Sequence, residues 1–369
     1  MKKLASILVV LAFTVGMAFG QSNTGNVTQS GEGHEAVVEQ TGGNIEAYVT
    51  QSNLENETTV TQVNHILVEG NSILANILQS GQNNISTVDQ IHNGSNGQLL
   101  EVFINQSGDL NTALQIQGPH GQMGNSYAEI LQSGDENYAS QHQKKYGNSA
   151  YIDQGGNNNS ARQAQDTYLL PDDEGSNGLV MINQSGDDNG AVQLQDGWSN
   201  QARIFQSGDG NTASQTQYTW MSRAYAEQGG DGNTATQDQG GSLNYARIEQ
   251  WSDDNTATQV QRSGARRTGA DYRAINDAII VQDGGSGNIA IQDQDSPGGN
   301  VIRNYADISQ DGFDNYAIQT QVDVNNWSEI TQYGSDHSAT VFQSGVGANI
   351  STISQSGNGN TAIVTQMNP

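Results

Sequence analysis

Cysteine is absent from the 369 residues, which excludes a disulfide framework and a thiolate metal site. Apolar residues are scarce, 34% against about 45–50% in an ordinary globular domain, so a conventional hydrophobic core is not expected. Basic residues are few. Thirteen Lys and Arg face 39 Asp and Glu, a formal net charge of -26, which argues against duplex nucleic acid as a partner. Beyond the N-terminus no apolar run approaches the roughly 20 residues of a membrane-spanning helix, so no membrane insertion is expected.

Carboxamides take the place of what is missing. The chain has 42 Gln and 39 Asn, roughly 22% of its residues. Low hydrophobicity with high net charge ordinarily means disorder, because too little apolar surface is buried to offset conformational entropy. Only a strict pattern overturns that expectation.

The N-terminus reads Met1-Lys2-Lys3, an apolar run from Leu4 to Val15, then Ala18-Phe19-Gly20. This is the form of a secretory signal peptide over residues 1–20, with cleavage after Gly20 and an exported product. The mature chain, 21–369, then has 11 basic and 39 acidic residues.

Gln is the ruler of the rest. A series from Gln29 and Gln40, through Gln206, Gln217, Gln228, Gln239, Gln250 and Gln261, to Gln355 and Gln366 has 27 intervals, of which 19 are 11 residues long. Two segment types alternate. Type A, as in Asn200 to Gln206, places Asn, Ala, Ile and Gln at alternate positions; type B, as in Asn211 to Gln217, places Asn, Ala, Gln and Gln. A period of two over seven residues is a β-strand with one consistent face. Seven-residue strands with four-residue turns make a 22-residue unit, present 14 times. Two more intervals are 12, and the six longer than that all fall between a type B strand and the next type A strand, so the loops are expected along one side. The fold expected is all-β, a β-solenoid of two parallel in-register sheets facing each other, with rungs about 4.8 Å apart.

At that spacing identical carboxamides can form ladders, each amide reaching the carbonyl of the next rung. The ladder columns expected include the Gln series and Asn200, Asn211, Asn233, Asn244 and Asn255. Asn23, Gln29 and Gln40 belong to the first rung, and Gln355, Asn360 and Gln366 to the last. These are the expected polymerisation ends, because a bare rung is a template and a head-to-tail contact that does not close builds a filament.

The units also resemble a known pattern. Ser222-x5-Gln228-x-Gly230-x-Gly232-Asn233-x-Ala235-x3-Gln239 matches every fixed position of the curlin repeat of bacterial curli; the next unit replaces the leading Ser with Asn244. The resemblance spans residues 23–366. It implies a functional amyloid of the biofilm matrix, exported through an outer-membrane curli secretion pore and polymerised outside the cell with a nucleator subunit. Two departures stand out: the repeats begin directly after the leader, and they are more numerous than is usual in the family. The chain is read as a self-assembling structural subunit of an extracellular curli-like fibre, with a monomeric secreted β-solenoid adhesin or a nucleator as the alternative.

No catalytic constellation, cofactor site or metal spacing is found, so the chain is read as no enzyme; His34 and His337 replace Asn in type B strands. Turn acids such as Asp109, Asp135, Asp209 and Asp231 are read as turn formers whose mutual repulsion delays premature assembly. The insert from Arg262 to Arg273 is read as a solvated loop or a contact for an acidic neighbour, a second fibre or a matrix polysaccharide.

Overall fold

A computed structural model of the chain describes residues 9–13, 23–65, 72–92, 99–118, 125–144, 147–165, 178–263, 276–296 and 303–368. The chain divides into two compact units, Met1–Asp188 and Asn189–Pro369. Strands and turns make up the described residues, with no helix among them.

In the first unit one sheet holds β1 (Val9–Phe13), β3 (Glu35–Thr41), β5 (Glu57–Asn64), β7 (Ile85–His92), β9 (Thr112–Gln117), β11 (Tyr138–Gln143) and β13 (Ser160–Gln165). The facing sheet holds β2 (Asn23–Glu32), β4 (Ile45–Leu54), β6 (Ser72–Gln82), β8 (Leu99–Ser107), β10 (Ser126–Ser133), β12 (Ser149–Gly155) and β14 (Leu179–Ser185). In the second unit the type B sheet is β15 (Gly190–Trp198), β17 (Thr212–Trp220), β19 (Thr234–Ser242), β21 (Thr256–Ser263), β23 (Ile289–Ser296), β25 (Tyr316–Val322), β27 (Ser338–Ser344) and β29 (Thr361–Met367). Its type A sheet is β16 (Gln201–Ser207), β18 (Arg223–Gln228), β20 (Tyr245–Gln250), β22 (Asn276–Asp283), β24 (Asn304–Phe313), β26 (Val324–Ser335) and β28 (Val346–Asn358).

Within each unit a strand pairs in parallel with the strand two further on, so type A stacks only on type A and type B on type B. The chain is therefore a β-solenoid, as its period predicts. Register follows the repeat residue for residue: Ala202 lies opposite Ala224, Ile204 opposite Ala226, and Gln206 opposite Gln228. Where one interval lengthens to 12 residues, before Gln355, the register of β26 and β28 shifts between Val324 and Asn326, and the ladder resumes at Asn326 and Asn349.

Burial alternates along each strand. In β10 Ala128, Ile130 and Gln132 face inward while Tyr127, Glu129 and Leu131 face outward. Ile130, Ile152, Ile204, Ile248 and Ile280 are almost fully buried, and the facing Ala columns leave room for them. A thin core results.

The turn from type A to type B explains the glycine of the repeat. Gly208 has a φ of 97°, and a Cβ placed there would lie 2.2 Å from the carbonyl oxygen of Gly230 in the next turn. Gly108, Gly134 and Gly156 meet the turn above them at 2.1–2.2 Å in the same way. Stacked turns leave no space for a side chain. Gly210 differs: its φ is 66°, a Cβ there would find nothing within 4 Å, and Asn158 and Asp188 occupy the same place in other turns with φ of 56° and 58°. Gly208→Ala should therefore lower stability by about 1–3 kcal/mol, as overpacking does. Gly210→Asn should be close to neutral, both read from the denaturant midpoint of the β signal in circular dichroism.

The inserts lie mostly outside the described residues, as do Arg266, Arg267 and Arg273. Of residues 1–20, only β1 is described, paired in parallel with β3 so that Phe13 stands opposite Gln40.

Candidate assembly surface: amide columns and terminal rungs

Four facts about the Gln columns define the site: burial, spacing, direction and termination. In the first unit Gln29 Nε2 donates to Gln51 Oε1 at 2.7 Å, Gln51 to Gln79 at 2.9 Å, and the column runs on to Gln184. In the second unit Gln206 donates to Gln228 and Gln228 to Gln250, both at 2.9 Å, and the column ends at Gln355. The type B columns match. Gln40 donates to Gln62 at 3.1 Å, Gln217 to Gln239 and Gln239 to Gln261 at 2.8 Å, and Gln343 to Gln366 at 2.8 Å. Every one of these amides donates toward the C-terminal rung.

The second amide hydrogen crosses the core. Gln206 gives it to Gly190 O at 3.1 Å, Gln217 to Gln201 O at 3.1 Å and Gln239 to Arg223 O at 3.0 Å. Each interior Gln of these two columns thus satisfies both amide hydrogens and its carbonyl while buried. An unpaired buried carboxamide costs about 1–3 kcal/mol, so it is this completeness that makes a polar core stable.

The Asn columns only partly form the amide-to-amide ladder the repeat suggests: Asn288 Nδ2 donates to Asn255 Oδ1 at 3.1 Å and Asn349 Nδ2 to Asn326 Oδ1 at 2.8 Å, but other rungs bind backbone instead. Asn211 Nδ2 donates to Ser207 O and to Gly230 O of the next turn, and its Oδ1 accepts the backbone N–H of Asn233. Asn233 likewise accepts from the N–H of Asn255, and Asn255 from that of Asn288. Asn200 accepts from the N–H of Ser222 and the hydroxyl of Thr219. Asn244 binds Gly240 O, and its Oδ1 is buried without a partner. The shorter Asn side chain sits beside the turn and clamps backbone to backbone. Reach decides this, since one methylene fewer keeps the amide at the strand end.

A third column is built from the other inward Gln of type B, a position outside the core site set read from the repeat. Gln215 donates to Gln237, Gln237 to Gln259 and Gln259 to Gln292, all at 2.8–2.9 Å. Its sequence signal is the Gln two residues before each type B ladder Gln. In the first unit the column begins at Gln115, because Val38, Val60 and Val88 occupy the earlier rungs. One-way donation then leaves Gln115 Oε1 buried with no donor, as the structure shows.

The outermost strands, β2 and β29, lack the cover that interior strands have. Inward positions of β2 and β29 are only half-buried, and Ile363 of β29 is 72% exposed. Gln29 and Gln40 donate onward, but among the described residues no donor reaches their carbonyls. Gln355 and Gln366 accept from the rung below and donate once each, to Ser338 O and Ile350 O, which leaves one amide hydrogen apiece. Asn23 Oδ1 has no partner, and Asn360 donates its backbone N–H to His337 Nδ1. His34 plays the same part at the other end, accepting from the N–H of Asn56. Among the described residues no group of three acidic or His side chains could hold a metal ion.

The outward face carries half-buried carboxylates held above their usual pKa range. Burial raises Asp89, Asp293 and Asp307; for Asp307 the neighbouring Glu329 and Asp277 add to the rise, and the hydrogen bond from Tyr305 opposes it.

The repeat geometry defines a class, the amide-laddered β-solenoid. Two stretches match the curlin associated repeat, residues 20–52, which span β2 to β4, and residues 303–345, which span β24 to β27. Both are consistent with a member of the curlin repeat family. No curated protein matches the chain.

Val60→Gln would bury an amide between Val38 and Val88, with no ladder partner on either side, and should cost about 1–3 kcal/mol more than Val88→Gln. Val88→Gln donates to Gln115 and only moves the orphan carbonyl one rung down. Midpoints that are equal would contradict one-way ladders. For the acids, a folded-state pKa raised above the unfolded value adds stability as pH falls through it toward about 3.9. The denaturant midpoint should rise as pH drops from 7 toward that value, and Asp307→Asn should raise it at pH 7 and blunt the rise.

Proposed function

We propose that the chain is a structural subunit of a curli-like extracellular amyloid fibre, growing head to tail by stacking the last rung of one copy on the first rung of the next. The observation that carries this reading is the direction of the ladders. At one end Gln29 and Gln40 donate onward with no ladder donor to their own carbonyls, and at the other Gln355 and Gln366 accept from the rung below with one amide hydrogen apiece left over; Gln40 and Gln355 are nearly buried in the single copy. A second copy placed on either end repeats the contact each rung already makes inside the chain. In this reading residues 1–20 are a signal peptide, and its removal takes away β1 and frees the edge of β3. The curlin repeat matches support an exported matrix protein whose partners are its own copies, a nucleator and an outer-membrane secretion pore.

Purified residues 21–369 should form fibres with cross-β reflections near 4.8 Å and 10 Å. Replacing Gln29 with Gln40, or Gln355 with Gln366, by Ala should slow elongation more than replacing Gln217 with Gln239. A chain that stays monomeric at tens of micromolar would point instead to a secreted solenoid adhesin, and equal effects at all three places would argue against growth at the ends.

A further inference from the structure

The type A face of the second unit carries a cluster of cations that the ladders do not use. Arg203, Arg223 and Arg247 stand on the successive rungs β16, β18 and β20 of a chain whose net charge is -26. They alternate with tyrosines. Tyr225 is in register with Arg203 on one side and Arg247 on the other, while Arg223 lies between Gln201 and Tyr245. Together these side chains line a shallow groove of about 290 Å³. Arg247 is paired with Glu249 on its own strand. Arg203 and Arg223 are exposed, and among the described residues neither has a carboxylate partner.

The same three rungs carry the complement on a different edge. Asp209, Asp231 and Asp253 lie exposed in the turns that follow β16, β18 and β20. Asp231 and Asp253 each spend one carboxylate oxygen on a backbone N–H, that of Asp209 at 2.8 Å and that of Asp231 at 2.9 Å. The Asp trio repeats at the rung spacing of about 4.8 Å, its outer members about 10 Å apart; Arg203 and Arg247 share one column two rungs apart and match those outer members, while Arg223 stands on the rung between them, two residues along its strand. A partner with any other period would match one cation and miss the next.

We infer that the Arg203, Arg223 and Arg247 face is a lateral docking surface for a second copy of this chain, which presents its Asp209, Asp231 and Asp253 turn column rung against rung. Guanidinium pairs carboxylate with two parallel hydrogen bonds, and the flanking Tyr rings limit its freedom before contact. The inference rests on the fibre reading: end-to-end stacking makes the filament, and this contact joins filaments side by side.

The test uses the mature chain, 21–369, with fibres viewed by electron microscopy and diffraction recorded in parallel. The parent should form laterally paired filaments at low ionic strength that separate as the Debye length shrinks to about 8 Å near 0.15 M salt. R203Q/R223Q/R247Q should yield single filaments with the cross-β spacing retained. D209N/D231N/D253N should do the same without disturbing the turn, since Asn157 already accepts the N–H of Asp135 at 2.9 Å in the equivalent place. R262Q/R266Q/R267Q changes net charge by the same amount and should stay bundled. Bundles unchanged in both docking variants, or lost equally in that control, overturn the inference. Single filaments throughout, with arginine-dependent binding of the polyuronate alginate, also overturn it by giving the face a glycan partner. A parent that makes no fibre counts against the fibre reading. Sedimentation then decides the contact: association lost in both docking variants supports it, and unchanged association overturns it.

Discussion

Everything in this molecule depends on stacking identical carboxamides at the strand spacing. A buried amide is costly alone and nearly free of penalty when the rung above and the rung below both offer it a partner. That condition forces parallel, in-register strands, because any slip would place Gln206 against something other than Gln228. It also forces turns of equal height. The close approach of Gly208 to the carbonyl of Gly230 is the mark the ladder leaves on the turn.

Direction is the second consequence. Because each amide donates the same way, a column has a carbonyl end and an amide end, and every interruption has a stated cost. The junction of Val88 with Gln115 shows one, a buried orphan carbonyl at the start of its column. The outer rungs show the other, where Gln29, Gln40, Gln355 and Gln366 each lack one ladder neighbour. Surface acids work against casual association: a strongly negative chain repels copies that meet in the wrong register, while the right register offers hydrogen bonds that do not depend on net charge.

Much of the fold was legible in the sequence because the side-chain period is also the structural period. The Gln spacing marked the rungs, alternate residues marked the inward face, and the position of the long intervals marked which connection varies. Less of the site was legible. Donor direction is invisible in a column of identical letters, and Asn looked equivalent to Gln because both carry an amide; the shorter arm of Asn211 makes it a backbone clamp instead. Arg203, Tyr225 and Arg247 are isolated letters 22 residues apart in the chain, and only register makes them neighbours. The pairing of β1 with β3 was hidden for another reason, since a leader is normally set aside from fold reasoning.

The central claim is that a fibre continues the internal ladder from copy to copy. Fibres grown from an equal mixture of chains carrying ¹⁵N at Gln side-chain amides and chains carrying ¹³C at Gln side-chain carbonyls test it by solid-state NMR. Transfer between the two labels can arise only across a junction between copies. The account predicts a weak but definite signal that disappears when Gln355 and Gln366 are replaced by Ala. Well-ordered cross-β fibres with no such transfer would contradict it.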